Sequence, residues 1–139
     1  MTKQFQDGLM KNKYKKIKLR YGENPNQKAY IVNNNKSIFN YQISGKKISY
    51  NNIIDVDSGI KCLNEFTEPT SIIIKHTNPC GVASSKNINE AFQKSYESDS
   101  KSAFGGIILL NRKVNSNLAS KIVKYFFEIV VAPRFEKSA

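Results

Sequence analysis

The chemistry this chain could do centres on its one histidine. His76 follows Lys75 directly, in the run Ile72-Ile73-Ile74-Lys75-His76-Thr77-Asn78-Pro79-Cys80-Gly81. An ammonium beside an imidazole disfavours charging of the ring, which keeps the ring available as a base near neutral pH. The same pair also reads as a partly exposed polar cap on the end of a strand. Cys80 admits two readings as well: a nucleophile with His76 as its base, or a buried structural thiol. Other chemistries find no motif. There is no GxxxxGK[ST] to cradle phosphates and no GxGxxG. A lone histidine without a carboxylate at ligand spacing argues against zinc. The HxE…PCxxC signature of zinc deaminases is absent, because Gly81-Val82-Ala83 follows Pro79-Cys80.

Composition narrows the classes further. The chain has 139 residues, a length for one domain or part of a larger one. Its hydrophobic content of 40%, with seven Tyr and eight Phe, is enough for a packed core. The net charge of +11 comes from 22 basic residues, of which only Arg20, Arg112 and Arg134 are arginines. Nucleic-acid readers lean on arginine for forked contacts. The first 18 residues hold six lysines and one acid, so a solvated basic tail competes with a nucleic-acid arm. No apolar run approaches a membrane span, and the opening residues offer no hydrophobic core for a secretory signal. Cys62 and Cys80 are too few for a disulfide framework and form no CxxC pair. A soluble, reduced, cytoplasmic protein is the expectation.

The elements that must position Lys75 and His76 can be read in order. Residues 1–16 read as a basic linker or extension. LRYGENPNQ (19–27) is a turn-rich loop, and 29–32 with 37–43 suggest a hairpin. Ser49 can cap a helix whose apolar face is Ile53, Val56, Ile60, Leu63 and Phe66. Residues 71–75 form a short buried strand, left by a loop over 76–81. Asn87 and Glu90 resemble a capping box. Residues 103–110 give a strand, Leu118, Ile122 and Phe126 a helical face, and 128–132 a last strand. This alternation predicts right-handed crossovers and a largely parallel sheet, with ligands beyond the carboxyl ends of the strands.

Five blocks then carry a resemblance. LRYGENPNQ (19–27), GKKISYNN (45–52), IIIKHTNPCGVA (72–83), SAFGGIILLNR (102–112) and FFEIVVAP (126–133) occur in order. Together they resemble the first part of the AICAR transformylase region of the bifunctional AICAR transformylase/IMP cyclohydrolase family, over residues 17–139. The resemblance implies a cytidine-deaminase-like, three-layer α/β/α fold without zinc, present here as a partial domain. It implies transfer of a formyl group from 10-formyltetrahydrofolate to the 5-amino group of AICAR. His76 matches the family's proton acceptor and Lys75 its transition-state stabiliser. Arg20, Tyr21, Gly105 and Glu128 match nucleotide-binding positions.

The family usually reads NPHQ where this chain has Asn24-Pro25-Asn26-Gln27, so a polar ring near the ribonucleotide end is replaced. The family also places a cyclohydrolase domain before this region. After it comes more transformylase domain, carrying a catalytic asparagine and most folate contacts, and its active site lies at a homodimer interface. The resemblance therefore leads to an enzyme segment that needs the remaining part, from the same or a separate chain. The alternatives are a non-catalytic nucleotide-binding or scaffold remnant and, on the lysines alone, a nucleic-acid module. AICAR and the folate co-substrate are the expected partners, with no metal, nucleic acid or membrane.

Overall fold

In a strand, three consecutive isoleucines can all be buried only if both faces are covered. Ile72, Ile73 and Ile74 are each fully buried in the computed structural model, which describes residues 15–33 and 37–139. The chain divides into two units, residues 1–51 and 52–139.

In the first unit, β1 (Lys15–Lys18) and β2 (Tyr30–Asn33) pair antiparallel, with Lys18 opposite Tyr30. The turn-rich loop lies between them. Gly22 N donates to the Gln27 carbonyl at 2.9 Å and Gln27 N to the Asn24 carbonyl at 3.0 Å. The hairpin expected between 29–32 and 37–43 does not form. Residues 30–33 pair backwards with β1, and Ile38–Tyr41 is a 3-10 helix that Ser37 caps through Phe39 N. The next backbone carbonyls are met by a side chain instead of a strand: Gln42 Nε2 donates to Ser44 at 3.0 Å and Lys46 at 2.9 Å. Of the extension read over 1–16, residues 1–14 lie outside the described residues and Lys15–Lys16 open β1.

The second unit is α/β. Helix α1 (Tyr50–Leu63) begins right after Ser49, its first two residues closing the first unit. The sheet contains β3 (Thr70–Lys75), β4 (Asn78–Ser84), β5 (Ile107–Leu110) and β6 (Ile129–Val131), in the order β4-β3-β5-β6. Helices α2 (Ile88–Ser98), α3 (Ser100–Ala103) and α4 (Ser116–Ile122) complete it. Only β5 and β6 are parallel; β3 runs antiparallel to both β4 and β5. The expected largely parallel sheet is thus a mixed one. The difference arises at 76–81, read as a loop: the chain turns within two residues and pairs back as β4. Pro79 and Gly81 hide this strand in the sequence. Pro79 is tolerated because β4 is an edge strand, and Cys80 forms a bulge where Ile73 pairs Gly81 but Ile74 pairs Pro79.

Side chains alternate between the two faces of the sheet. Ile73, Ile108 and Leu110 pack with Phe92 of α2, Ala103 of α3 and Leu118 of α4. On the other face Ile74 and Leu109 meet Gly59 of α1, where an added Cβ would collide with the Leu109 side chain. The cap on α2 forms as read, with Asn87 Oδ1 accepting from Glu90 N at 3.0 Å. Glu90 does not return to the cap; its Oε2 accepts from Ser85 Oγ at 2.7 Å. Helix α4 stops at Ile122, short of Phe126. Residues 125–127 leave the helix, Tyr125 N still donating to the Ile122 carbonyl at 3.0 Å, so that Tyr125 and Phe127 face Phe92 and Tyr96 while Phe126 is 56% exposed. Burying two aromatic rings outweighs one further helical turn.

Helix α2 lies close against β4 because residue 81 has no side chain. A Cβ there would overlap the Ser95 backbone carbonyl, beside the buried hydroxyl pair Ser71 Oγ and Ser95 Oγ at 2.8 Å. Gly81→Ala should therefore destabilise the chain by at least the 1–3 kcal/mol typical of overpacking, about 4–8 °C in Tm per kcal/mol for a domain this small. Thermal unfolding followed by circular dichroism checks this; an unchanged Tm would mean that α2 is free to shift.

Candidate functional site

Where β3 ends, the core ends with it. Lys75 pairs with Asn78 across the hairpin, leaving His76 and Thr77 as the whole connection. Two-residue hairpin turns that match the right-handed twist of their strands are of type I′, with positive φ at both positions, or II′, with positive φ at the first. His76 has φ +51° and Thr77 +63°. Glycine or asparagine usually fills such places; for a β-branched threonine the conformation is a real outlier, costing of order 1–3 kcal/mol. The turn is held from outside the hairpin. Asp55 Oδ1 accepts from Thr77 N at 2.7 Å, and Ser58 Oγ donates to the Thr77 carbonyl at 2.7 Å. Inside it, Thr77 Oγ1 at 2.6 Å and Asn78 Nδ2 at 3.0 Å both donate to the His76 carbonyl. The imidazole stands exposed at the tip.

Lys75 is half-buried, and its Nζ donates to the Phe104 carbonyl at 2.8 Å. That carbonyl precedes Gly105, whose φ of +72° a side chain would oppose. The loop is fixed in turn: Gly105 N donates to the Phe126 carbonyl at 2.8 Å and Glu128 N to the Gly106 carbonyl at 3.0 Å. Glu128 Oε2 accepts from Asn52 Nδ2 at 2.7 Å. Glu128 is exposed and sits just before β6. Lys75, His76, Gly105 and Glu128 thus gather at one end of the sheet. That end is the carboxyl end of β3 but the amino end of β5 and β6. The rule of ligands beyond carboxyl ends does not describe it, because the sheet is mixed.

Arg20 and Tyr21 lie in the first unit and touch each other. Arg20 Nη2 donates to the Tyr21 hydroxyl at 3.1 Å, and the guanidinium lies 4.8 Å from the ring centroid. Arg20 is exposed, its fork open to an anion. Asn26 is exposed in the same loop.

Cys80 has the character of a structural thiol. Burial above all pushes its pKa up, with Asp99 adding to this against the backbone hydrogen bond and Lys75, and its Sγ lies 3.6 Å from the Ile73 carbonyl. A raised pKa withholds the thiolate that nucleophilic chemistry requires.

Sequence reasoning passed over Asn52, Asp55 and Ser58. Their spacing of three places them along one side of α1, and that spacing of polar residues was the available signal. The helix was read through its apolar positions alone. Among the described residues no helix is long and apolar enough to cross a membrane, and no three of His, Cys, Asp or Glu are grouped to hold a metal ion.

Comparison with known proteins decides the family. The sequence profile of the AICARFT/IMPCHase bienzyme family matches residues 1–139. This chain belongs to that family. It is 52% identical over 128 residues to the bifunctional purine biosynthesis protein PurH of Caldicellulosiruptor bescii, covering 87% of this chain and 25% of the relative. It is 46% identical over 130 residues to the protein of that name from Listeria welshimeri, covering 90% and 26%. For the Pediococcus pentosaceus protein the figures are 46% over 140 residues, 97% and 27%. The chain therefore spans about a quarter of the length of the curated relatives it matches. Within this AICARFT/IMPCHase segment, the strained turn and the Lys75 anchor occupy the KHTNPCG and SAFGG blocks that carried the resemblance.

The Lys75 anchor also depends on α3, which Asp99 caps by accepting from Ser102 N at 3.0 Å. The hydrogen bonds from Ser102, side chain first and then backbone, hold the Asp99 carboxyl below its usual range. A carboxylate whose folded pKa is depressed stabilises the fold above its ordinary value, near 3.9, and loses that contribution as pH falls through the folded value. Denaturant midpoints measured from pH 6 down to 3 should fall more steeply in the wild type than in Asp99→Asn, which keeps a capping oxygen but does not titrate. Parallel curves would show that Asp99 carries none of the acid sensitivity.

Proposed function

We propose that this segment supplies half of a formyl-transfer site of de novo purine biosynthesis, with AICAR as acceptor and 10-formyltetrahydrofolate as donor. Its fold is then the partial cytidine-deaminase-like α/β/α domain of that enzyme, working in the cytoplasm within a homodimer. The observation that carries the reading is the pairing of an exposed imidazole on a rigid turn with an ammonium anchored beside it, inside the family's most specific motif.

The chemistry asks for such a pair. The AICAR amine is conjugated to an imidazole bearing a carboxamide, so its lone pair is delocalised and weakly nucleophilic. The amine nitrogen bonds to the formyl carbon, His76 takes its proton, and the bond from that carbon to the folate nitrogen breaks as the nitrogen regains a proton. A positioned base is worth roughly 10²–10⁴ in such a step. Lys75 offsets charge on the tetrahedral oxygen or delivers the proton to the leaving nitrogen. Arg20, stacked on Tyr21, suits the 5′-phosphate as a forked cation. Glu128 accepts from ribose hydroxyls or the carboxamide, and Gly105 lets the backbone approach the nucleotide. The folate contacts fall to the part of the bienzyme beyond this segment.

In a complete bienzyme carrying this segment, His76→Ala should abolish formyl-AICAR production while AICAR still binds. Lys75→Arg should fail too, since a guanidinium cannot give up a proton at working pH. Steady turnover in the alanine variant would leave the segment a nucleotide-binding scaffold; near-normal turnover in the arginine variant would reduce Lys75 to a point charge.

Arg20→Ala should weaken AICAR roughly 10–150-fold, the usual worth of one charge-assisted contact, and its unphosphorylated nucleoside far less. Titration calorimetry with both ligands checks this, and equal weakening would show that Arg20 does not read the phosphate.

A further inference from the structure

Both backbone polar groups of Thr77 are taken by one helix. Asp55 and Ser58 are three residues apart on α1, close enough to reach the same point. Asp55 accepts from the Thr77 amide and Ser58 donates to the Thr77 carbonyl, each at 2.7 Å. The residue so clamped is the β-branched member of the turn, at φ +63°. A two-residue turn leaves that amide without a partner in the strand ladder, so a carboxylate there makes a short, charge-assisted bond that a relaxed turn would lose. The clamp also sits one peptide from His76, whose own carbonyl is fixed by Thr77 Oγ1 and Asn78 Nδ2.

We propose that Asp55, assisted by Ser58, is a positioning residue for His76. It holds the Thr77 peptide in the left-handed conformation and so sets where the imidazole stands at the end of β3. The proposal rests on the reading of His76 as the base. Releasing the clamp lets Thr77 return to negative φ, which opens the hairpin tip and displaces the ring. Displacement of about 1 Å in a catalytic group can cost roughly 100-fold in rate.

The test compares Asp55→Ala, Asp55→Asn and Ser58→Ala. In the complete bienzyme Asp55→Ala should lower kcat for formyl transfer by roughly 100-fold with KM for AICAR nearly unchanged. Asp55→Asn, whose amide oxygen still accepts, should recover most of the loss. In the 139-residue chain, the Thr77 amide should exchange with deuterium slowly in the wild type and in Asp55→Asn, and fast in Asp55→Ala. A raised KM with kcat intact would make Asp55 a substrate contact and overturn the proposal. Wild-type kcat in Asp55→Ala, beside an inactive His76→Ala, would overturn it while leaving the proposed function standing. An active His76→Ala would instead sink the base and the role built on it, even if the exchange result held. Where Asp55→Ala does not fold, Ser58→Ala decides: a partial kcat loss at constant KM supports the role, and unchanged kcat refutes it.

Discussion

The two-residue connection between β3 and β4 is the constraint around which the second unit is arranged. Three fully buried isoleucines oblige β3 to have strands on both edges and helices on both faces. Its neighbour on one edge is β4, reached through a turn that runs left-handed at both residues. Neither histidine nor threonine prefers that conformation, so local sequence does not produce it. It persists because Asp55, Ser58 and Asn78 bond the Thr77 amide and the carbonyls of both turn residues, and because α1 is itself fixed on the sheet where Gly59 meets Leu109 and Ile74. The strain at the tip is thus balanced by packing one layer below it.

From this turn a chain of hydrogen bonds ties Lys75, Gly105 and Glu128 to the same end of the sheet. Lys75 holds the Phe104 carbonyl, Gly105 holds that of Phe126, Glu128 holds that of Gly106, and Asn52 returns to Glu128. The path begins and ends on α1, at Asn52 and at Asp55 with Ser58. A helix that reads as a plain amphipathic element is therefore also the frame of the site: Val56 and Gly59 are buried, and the side chains of Asn52, itself buried, and of Asp55 and Ser58 address loops.

Much of this was legible in the sequence, and the failures have physical causes. The strand expected over 71–75, the Asn87 cap and the three main helices follow from apolar runs, 3.6-residue spacing and cap chemistry. Of the strand expected over 103–110 only Ile107–Leu110 forms, because Ala103 ends a short helix and Gly105 turns the chain at positive φ. Strand β4 escaped because its residues are poor strand formers; it exists because β3 offers an unpaired edge, a tertiary reason that local preference cannot express. Helix α4 is shorter than its pattern suggests because Phe126 fits a helical period, whereas Tyr125 and Phe127 on either side of it bury more. The 29–43 hairpin was misplaced because the partner of residues 30–33 precedes them. Residue types marked Lys75 and His76 as a possible acid–base pair. Roles for Arg20, Tyr21, Gly105 and Glu128 came only from family resemblance, since nothing in their spacing announces them.

The charge arrangement at this end of the sheet has its own logic. Of the two carboxylates among these residues, Asp55 accepts from a backbone amide and Glu128 from an asparagine amide. Lys75 is anchored by a neutral carbonyl, and among the described residues no salt bridge includes it. An ammonium held by a carbonyl keeps its full charge, whereas one held by a carboxylate is largely neutralised by its partner. The arrangement therefore fixes the position of Lys75 without spending its charge. Under the proposed reaction that matters, because the negative charge to be met forms only as the formyl carbon becomes tetrahedral. A cation already satisfied by an acid would have to break that pair at the moment of reaction, while one pinned by a carbonyl is oriented in advance.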